Sequence, residues 1–571
     1  MAADLVAPWR SQGIPAGGKS AASLRRHAEA LVDRAGAGRE TVGWTMVTIV
    51  SEYWRQRLAS LPAGRRLLLL PDCPVATHRG TGASAGLHVC GPDCTLGTVA
   101  AAARESGWAV KPTSAALGGI GALLTGQTDG ILGVAKLSHL EKAFAMLPAF
   151  ALPIAAVPFD ADAASAAAAR GLGCAEVASA AALDPAWILG LLGVGGGAVA
   201  PMGDYLPVLR EAAGLFTAQG LARIDEQLGL GTGLGTAVPP ASGGERADVA
   251  AVDATARMAS DFLSRGGKFL RPFITLAAFD AVNGDRRQRG EPVGDLDRSA
   301  VRAAAVAIEI FHKASLVHDD IEDDDAMRYG RPTLHVERGI PLAVNAGDWL
   351  LGVGYRIVAA LPGLAPDVHR DLVRLLADAH VRLARGQGGE LWWRETPGKG
   401  LLPTEALELY GLKTSPAFEA ALAMGVRLAG PDPAAVGDLR GFSLHVGTGF
   451  QVLNDLKDWQ GDAVNARDAA GDLLGGRPTV LWALAIERLG SDTVSGLFAR
   501  ARGGDAHERG AALADARERF AAAGVFDSAA AIVAAERSAA LAAAATCTLP
   551  RLRDVLEFLL DLAVPDGAVP G

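Results

Sequence analysis

LVHDDIEDDDAMRYGRPTLH, residues 316–335, is the stretch around which the rest of the chain is organised. It carries six acidic side chains within seven residues, 319–325, and then two arginines. An apolar helical pattern leads into it, so Asp319 and Asp323 lie one turn apart on one face, with Asp320 beside them. Carboxylates this close repel one another unless a cation lies between them, and such oxygen ligands suit Mg²⁺, which also bridges to substrate phosphates. The stretch therefore predicts a magnesium–phosphate site carried by a helix.

The composition is that of a large globular protein. Its 571 residues are enough for two or three domains, and half of them are hydrophobic. The net charge of −9 argues against a general nucleic-acid-binding protein. Five cysteines are an odd and sparse count that does not suit a disulfide framework, so we expect a reducing, cytoplasmic location. The sequence lacks a run of about 18 uncharged apolar residues, so we expect no transmembrane segment, while peripheral membrane contact stays open.

Two fold classes follow each other along the sequence. In the first third, short apolar runs such as 66–72 and 129–134 alternate with helical segments, which predicts an α/β domain with a parallel sheet. From about residue 246 onward the apolar periodicity is helical, without a convincing strand. We therefore predict a multidomain chain, with an α/β domain at residues 1–197 and an all-α domain at 198–571. The segment 204–228 predicts one amphipathic helix at the start of the second domain.

Two glycine-rich segments match nucleotide-binding patterns but lack the required context. GIPAGGKS at 13–20 fits G-x4-G-K-S, yet the residues before it contain Pro8 and no buried strand. We interpret it as a flexible entry to a helix. GVGGGA at 193–198 fits G-x-G-x-x-A, but Pro201 comes too soon for the helix that must follow, so we interpret it as a linker.

Three cysteines, Cys73, Cys90 and Cys94, follow the first predicted strand, with His78 and His88 nearby. Loops at the carboxyl ends of parallel strands usually bind ligands, so these thiols could form a zinc or iron–sulfur site. The alternative is buried free thiols, because the spacing C-x16-C-x3-C is not a strong zinc signature.

Roughly residues 60–160 resemble a bacterial domain family of unknown function. That family carries a cysteine-rich loop after a strand, a CG-x-x-C-like element and a later Val-Ala-Cys. Here the last position reads Val134-Ala135-Lys136, so one expected sulfur is missing and a four-cysteine cluster is in doubt.

Further polar clusters interrupt the helical pattern of the second domain. GGKFLRP at 266–272 places Lys268 and Arg271 three residues apart, so both cations face one way if the turn is helical, which suits a phosphate. The remaining clusters are His312 before the acidic stretch, Lys413-Thr414, QVLNDLKD at 451–458 and GGRPT at 475–479.

These clusters, in this order and spacing, resemble the trans-isoprenyl diphosphate synthases, the polyprenyl synthetase family, over roughly residues 200–571. The resemblance implies the all-α isoprenoid synthase fold, a helical bundle around a central cavity. It implies a Mg²⁺-dependent prenyltransferase that condenses isopentenyl diphosphate with an allylic diphosphate to give a linear trans-prenyl diphosphate. It also implies a homodimer.

The resemblance implies a role for each matching residue. Two acidic motifs would hold Mg²⁺: Asp319, Asp320 and Asp323 in the first, and Asn454, Asp455 and Asp458 in the second. Four residues would bind isopentenyl diphosphate: Gly267, Lys268, Arg271 and His312. Three arginines would bind the allylic diphosphate: Arg328, Arg467 and Arg477. Catalysis would use the first three aspartates together with Lys413, Thr414 and Gln451.

Two positions depart from the family pattern. Tyr329 replaces the second arginine of Arg-Arg-Gly, which removes a charge on the isopentenyl side, and Asn454 replaces an aspartate. Asn454, Asp458 and Asp462, spaced by four, also look like the Asn-led metal triad of class I terpene cyclases, although a cyclase would not need GGKxxRP. A non-catalytic regulatory partner of a prenyl synthase is the other alternative, because both departures weaken the site.

Small residues before the acidic stretch predict a long product. Ser315 and Ala314, four and five residues before Asp319, lie about one turn deeper toward the tail of the tunnel. Family members with short products tend to place aromatic residues there, so we expect a product of C20 or longer, as in geranylgeranyl diphosphate synthases. Phe311, another turn down, could form the floor, which favours about C20 to C25.

Overall fold

The computed structural model describes residues 1–12, 21–78, 94–146, 150–193, 205–236, 251–294, 296–395, 400–459, 470–471, 475–503 and 506–565. Its contacts divide into two units: Met1–Arg210 with Glu557–Gly567, and Glu211–Leu556 with Ala568–Gly571. The domain boundary near residue 197 stays a prediction. GIPAGGKS, residues 194–198 of GVGGGA and five single residues named above lie outside the described residues: His88, Cys90, Pro201, Asp462 and Arg467.

A parallel sheet forms the centre of the first unit, as the alternating apolar runs predicted. Its strands are Arg66–Leu70 (β1), Trp108–Pro112 (β2), Gly130–Lys136 (β3) and Ile154–Phe159 (β4), in the order β2-β1-β3-β4. All three neighbouring pairs are parallel. β1 and β3 are almost wholly buried because their side chains face helices on both sides of the sheet.

Helices cover this sheet. Up to residue 191 they are Ala2–Gln12, Ala21–Ala35, Val42–Ser60, Pro74–His78, Thr95–Glu105, Ala116–Leu124, Leu137–Met146, Ala161–Ala169, Cys174–Ala180 and Pro185–Leu191. Helices, not strands, precede both glycine-rich segments, so neither segment has the strand–loop–helix context of a nucleotide-binding loop. The interpretation of the two segments as a helix entry and a linker stays a prediction, because 13–20 and 194–198 lie outside the described residues.

The second unit is a helical bundle. From residue 206 onward the helices are Leu206–Gly214, Ala218–Gln227, Ala254–Ser264, Leu270–Gln288, Arg298–Glu322, Leu334–Arg338, Ile340–Ala359, Pro366–Arg394, Pro403–Lys413, Ser415–Leu428, Pro433–Val436, Leu439–Asp458, Val480–Leu489, Ser491–Gly503, Ala506–Ala522, Val525–Ala545 and Pro550–Ala563. The prediction of one helix over 204–228 is wrong. The segment forms two helices, and the second one starts after Thr217. The Thr217 side chain caps this second helix by accepting a hydrogen bond from Gly220 N (3.0 Å).

Glycines at two helix crossings allow the helices that carry candidate site residues to approach closely. A Cβ atom at Gly425 would lie 2.4 Å from the carbonyl oxygen of Thr275. A Cβ atom at Gly386 would lie 2.7 Å from the backbone nitrogen of Lys413. The helix Pro366–Arg394 therefore packs directly on the backbone of the Lys413-Thr414 pair.

A short hairpin in the second unit was not predicted from the sequence. Strands Met327–Arg328 (β5) and Arg331–Pro332 (β6) pair in antiparallel fashion around Tyr329 and Gly330, which have φ angles of 54° and 71°. Two-residue hairpin turns of this kind need positive φ at both positions, and a tyrosine is an uncommon residue for the first of them. The hairpin turns Arg328 back toward the acidic stretch.

One described helix, Val525–Ala545, is long and apolar enough to cross a membrane by length and composition, and the bent pair Cys174–Ala180 with Pro185–Leu191 passes the same test together. Core helices of soluble proteins also pass it. Within Val525–Ala545, Glu536 Oε2 lies 2.8 Å from His445 Nδ1 and Arg537 is buried. Of the apolar window of this helix, 33% is buried.

Candidate active site

A cavity of about 340 Å³ in the second unit has a mixed lining. Its apolar wall includes Ile308, Phe311, Leu316, Leu351, Leu376, Leu383 and Phe450. Six residues predicted to act in the site line the same cavity: Arg271, His312, Asp319, Lys413, Thr414 and Gln451. The fold thus gathers polar groups from four sequence clusters against one apolar wall.

The helix Arg298–Glu322, here called the aspartate helix, positions the first acidic motif. It ends at the motif, where the backbone nitrogen of Asp323 donates to the carbonyl oxygen of Asp319 (2.8 Å). The two residues are therefore one turn apart, as predicted. Burial raises the pKa of Asp319 to about 7, Lys413 opposes this rise, and the carboxylates of Glu322 and Asp323 add to it. A group so placed gains from a nearby cation.

Asp320 is held by the arginine that the hairpin returns. Its Oδ1 accepts a hydrogen bond from Arg328 Nε (2.5 Å), and Arg328 Nη2 also lies 3.4 Å from Asp325 Oδ2. Burial raises the pKa of Asp320, while the bond to Arg328 lowers it. Its other oxygen, Oδ2, is buried without a hydrogen-bond partner among the described residues. An oxygen in this state fits a hard cation such as Mg²⁺.

Asp323 lies between two arginines. Arg394 Nη1 is 2.8 Å from its Oδ1, and Arg477 Nη2 is 3.1 Å from its Oδ2. Arg477 was predicted for the allylic site. Arg394 was not, because it lies outside every motif and reaches Asp323 only as the last residue of the long helix Pro366–Arg394.

Lys413 keeps its charge through a second residue that the sequence did not reveal. Its Nζ donates to Oε2 of the buried Glu390 (2.7 Å). Burial lowers the pKa of Lys413. The carboxylates of Glu390, Asp319 and Asp323 raise it by more than burial lowers it, so the net shift is upward. A cation is thereby fixed beside the first motif.

Thr414 and Gln451 meet on the cavity wall. Thr414 Oγ1 donates to Gln451 Oε1 (3.4 Å). The helix Pro366–Arg394 adds Gln387, whose Nε2 donates to Glu322 Oε2 (2.7 Å). Gln387 also lines the cavity and was missed, since a lone glutamine in a helical pattern gives no signal.

The second motif ends the helix Leu439–Asp458 and is organised differently. Asp455 is 3% exposed and accepts a hydrogen bond from the Tyr410 hydroxyl, which itself accepts one from Val480 N (2.8 Å). Asn454 and Asp458 are half-buried and one turn apart. The assignment of these three residues to Mg²⁺ stays a prediction, and the structure shows Asp455 engaged by Tyr410.

The GGKFLRP turn does not have the helical form on which a shared face for its two cations depends. Phe269 has a φ of 45° and caps the helix that begins at Leu270. Lys268 therefore stays outside the helix and is exposed, while Arg271 lies in the first turn. Arg271 Nε is buried without a hydrogen-bond partner among the described residues, and its guanidinium lies 5.5 Å from the ring centroid of Phe418.

A buried lysine stands behind this turn. Lys313 is fully buried, its Nζ donates to the carbonyl oxygen of Gly266, and it lies 4.2 Å from the ring centroid of Tyr329. The rings of Phe262 and Phe269 are 5.6 and 5.7 Å away. Burial lowers the pKa of Lys313 to about 8. A cation thus contacts the side chain that replaces the family's arginine, a compensation that sequence reasoning missed.

His312 stays neutral at physiological pH. Burial lowers its pKa well below the ordinary value, and the cations Arg271, Lys313 and Arg328 lower it further. The imidazole can therefore offer hydrogen bonds without adding charge to the cavity.

The deep end of the cavity corrects one tunnel assignment. Ser315 and Phe311 line it, but Ala314 is fully buried elsewhere, because five residues on a helix do not return to the same face. The Phe311 ring packs 4.8 Å from Tyr355 and 6.0 Å from His380, centroid to centroid. Phe311 is therefore held in place as a candidate floor.

Comparison with known proteins supports the family resemblance. A family model described as polyprenyl synthetase matches residues 252–506. The geranylgeranyl pyrophosphate synthase of Geoglobus acetivorans is 33% identical over 231 residues, which are 40% of this chain and 68% of that protein. The geranylfarnesyl diphosphate synthase of Aeropyrum pernix is 28% identical over 271 residues, 45% of this chain and 81% of that protein.

Among solved structures, the geranylgeranyl pyrophosphate synthase of Corynebacterium glutamicum, complexed with isoprenyl diphosphate and magnesium, is similar with a TM-score of 0.51. It is 21% identical, and the match covers 62% of this chain and 99% of that one. This likeness shows the helical fold. With the sequence relatives and the cavity, it leads to one conclusion: the chain belongs to the polyprenyl synthetase family and is a trans-prenyltransferase.

Proposed function

We propose that the helical unit condenses isopentenyl diphosphate with an allylic diphosphate in a Mg²⁺-dependent reaction. The observation that carries this proposal is the single cavity in which Asp319, Lys413 and Arg271 stand at the edge of an apolar wall. Diphosphates need cations, and prenyl tails need apolar surroundings. One cavity that offers both suits substrates with a charged head and a hydrocarbon tail.

The first acidic motif would hold the metal. The oxygen ligands would come from Asp319, from Asp323 and from Oδ2 of Asp320, which has no hydrogen-bond partner within the part of the chain that the structure describes. Bound Mg²⁺ would supply charge that stabilises the leaving diphosphate. Arg394 and Arg477, now paired with Asp323, are placed to transfer their hydrogen bonds to diphosphate oxygens, which accept forked contacts from guanidinium groups.

The reaction breaks the allylic C–O bond, and the electron pair leaves with the diphosphate. The isopentenyl double bond then attacks the allylic cation, a C–C bond forms, and the released diphosphate takes the proton. Thr414 and Gln451 present weak dipoles that stabilise the cation without capturing it. The apolar wall excludes water that would otherwise quench it.

Cations outside the first acidic motif would bind isopentenyl diphosphate. Arg271 lines the cavity, and no described residue accepts a hydrogen bond from its buried Nε. Burial lowers the pKa of Lys457, and the charge of Lys268, which comes from a different element, lowers it further. Positive charges that repel each other favour a bound anion.

The product we propose is C20 to C25. Relatives named for geranylgeranyl and geranylfarnesyl products support this range. Ser315 leaves the cavity open, and Phe311 lies one turn further along the aspartate helix. We also propose a homodimer, for which the exposed apolar side chains Ile340, Leu342 and Val344 offer a surface, and a cytoplasmic location.

The test is product sizing. Purified protein is incubated with Mg²⁺, labelled isopentenyl diphosphate and dimethylallyl, geranyl or farnesyl diphosphate. We expect linear products of C20 to C25, shorter ones from Ser315→Phe and longer ones from Phe311→Ala. A cyclic hydrocarbon from the allylic substrate alone would indicate a terpene cyclase, and no turnover with any primer would favour a regulatory partner.

A further inference from the structure

Three thiols in the first unit converge although they are far apart in the sequence. Cys174 Sγ lies 3.7 Å from Cys73 Sγ and 3.6 Å from Cys94 Sγ. All three sulfurs lie within 4.8 Å of one another. Cys73 and Cys94 were singled out from the sequence, whereas Cys174 was not, because it lies 80 residues beyond Cys94.

The parallel sheet explains why they meet. Cys73 follows β1 by three residues, Cys94 caps the helix that leads to β2, and Cys174 begins a helix after β4. β1 lies between β2 and β3. The chain passes from β1 to β2 on one side and then crosses to β3 on the other side of β1. Ligands of open parallel sheets bind at the carboxyl ends of strands at such a reversal.

The distances match one metal ion. With Zn–S bonds of about 2.3 Å and tetrahedral geometry, sulfurs on a shared zinc stand about 3.8 Å apart. The observed 3.6 and 3.7 Å are close to this and far longer than the ~2.05 Å of a disulfide bond. Thiolates on different irons of a cluster have to stand further apart, because each binds its own iron. Three thiolates are also the soft ligands that zinc prefers over Mg²⁺.

We propose that Cys73, Cys94 and Cys174 bind a single Zn²⁺ ion in the first unit. Cys73 and Cys94 are fully buried, and Cys174 is partly exposed, which leaves a route for the ion. The ion would tie the end of β1 to the starts of two helices. This site uses none of the residues of the prenyl-transfer site, so it stands whether or not the proposed reaction is confirmed.

The first test measures metal in the full-length protein purified from zinc-supplemented cells. We expect about one zinc per chain in the wild type and a loss of at least tenfold in Cys73→Ser, Cys94→Ser and Cys174→Ser. Cys547→Ser is the matched control, because Cys547 is a buried cysteine of the second unit. Zinc retained in the Cys174 variant would overturn the assignment, as would iron with acid-labile sulfide in the wild type.

A second measurement avoids variants that fail to fold. Native wild-type protein is alkylated before and after removal of metal with a chelator, and the modified cysteines are mapped by mass spectrometry. Bound zinc should protect Cys174 from alkylation. After chelation, Cys174 should be alkylated at least tenfold faster, while the alkylation rate of Cys547 should not change. Equal labelling of Cys174 with and without chelator, or a disulfide to Cys174, would refute the proposal.

Discussion

The two acidic helix ends of the second unit hold their charges in different ways. In the first, cations contact the carboxylates directly: Arg328 holds Asp320, and Arg394 and Arg477 hold Asp323. In the second, the buried carboxylate of Asp455 accepts a hydrogen bond from the neutral Tyr410, and the leading position is the uncharged Asn454.

The two ends differ in whether the groups that hold their carboxylates can turn to a bound diphosphate instead. Arginines paired with the first motif can exchange a carboxylate for a diphosphate at little cost, since both are anions that accept forked hydrogen bonds. A buried carboxylate bonded to tyrosine has no such exchange available. We infer that the first motif carries most of the catalytic charge and that the second tolerates an asparagine for that reason.

The largest effect is expected from the first motif itself. Asp319→Asn removes a proposed metal ligand. If its charge acts through Mg²⁺ on the leaving diphosphate, as proposed, the interaction is worth several kcal/mol, so kcat should fall roughly 1000-fold or more. Steady-state kinetics with saturating Mg²⁺ measures this. If Asn454→Ala proved as damaging as Asp319→Asn, the two ends would be equivalent and the comparison would fail.

Removing one arginine of the Asp323 pair should have the next largest effect. Arg394→Met deletes a hydrogen bond between charged groups, worth about 1.5–3 kcal/mol, which corresponds to roughly 10- to 100-fold in kcat/KM for the allylic substrate. Arg382→Met is the control, because Arg382 lies on the same helix but pairs with Glu419 (2.5 Å). Equal losses in both variants would point to helix stability rather than to diphosphate binding.

Lys313, a cation that contacts aromatic rings and also interacts with the carboxylate of the buried Glu309, sharpens the comparison. Lys313→Met frees the Gly266 carbonyl and loosens the turn that carries Lys268, so KM for isopentenyl diphosphate should rise about tenfold. The allylic KM should stay unchanged, and Lys313→Arg should restore part of the affinity. A loss shared by both substrates would mean that the whole bundle had been weakened.

Lys313 also predicts a pH dependence of stability. Its pKa is about 8 in the folded protein against an ordinary 10.5, so between these values the unfolded chain binds the extra proton. Stability of the wild type relative to Lys313→Met should therefore rise with pH across this window, by up to about 3 kcal/mol. Urea denaturation of both proteins at pH 7.5 and pH 10 measures the difference. A difference that does not change with pH would show that folding does not lower the pKa of Lys313.

The smallest effect is expected at the second motif. Asn454 is half-buried, and Asn454→Asp adds one charge at this proposed ligand position, so the Mg²⁺ concentration for half-maximal activity should fall about threefold. Magnesium titration of activity, with Asn454→Gln as the uncharged control, tests this. An unchanged or weaker Mg²⁺ response would show that position 454 does not face the metal.

Local patterns predicted the elements well. The apolar runs at 66–72 and 129–134 predicted β1 and β3 to within a few residues, because short apolar runs bounded by turn residues are typical of buried strands. The hairpin at Tyr329 and the break at Thr217 were missed. In both, a backbone conformation depends on contacts that a short window of sequence does not contain.

The sequence by itself determined the two fold classes, the family of the helical unit and the motif residues, because those depend on periodicity and on residue types at short spacing. Only the tertiary structure brought in Arg394, Glu390, Lys313 and Cys174. Each lies outside every motif and acquires its role by contact with a residue distant in the sequence. The packing of helices and strands determines which charges and thiols come into contact. Contacts between residues distant in the sequence produce no periodic pattern in it.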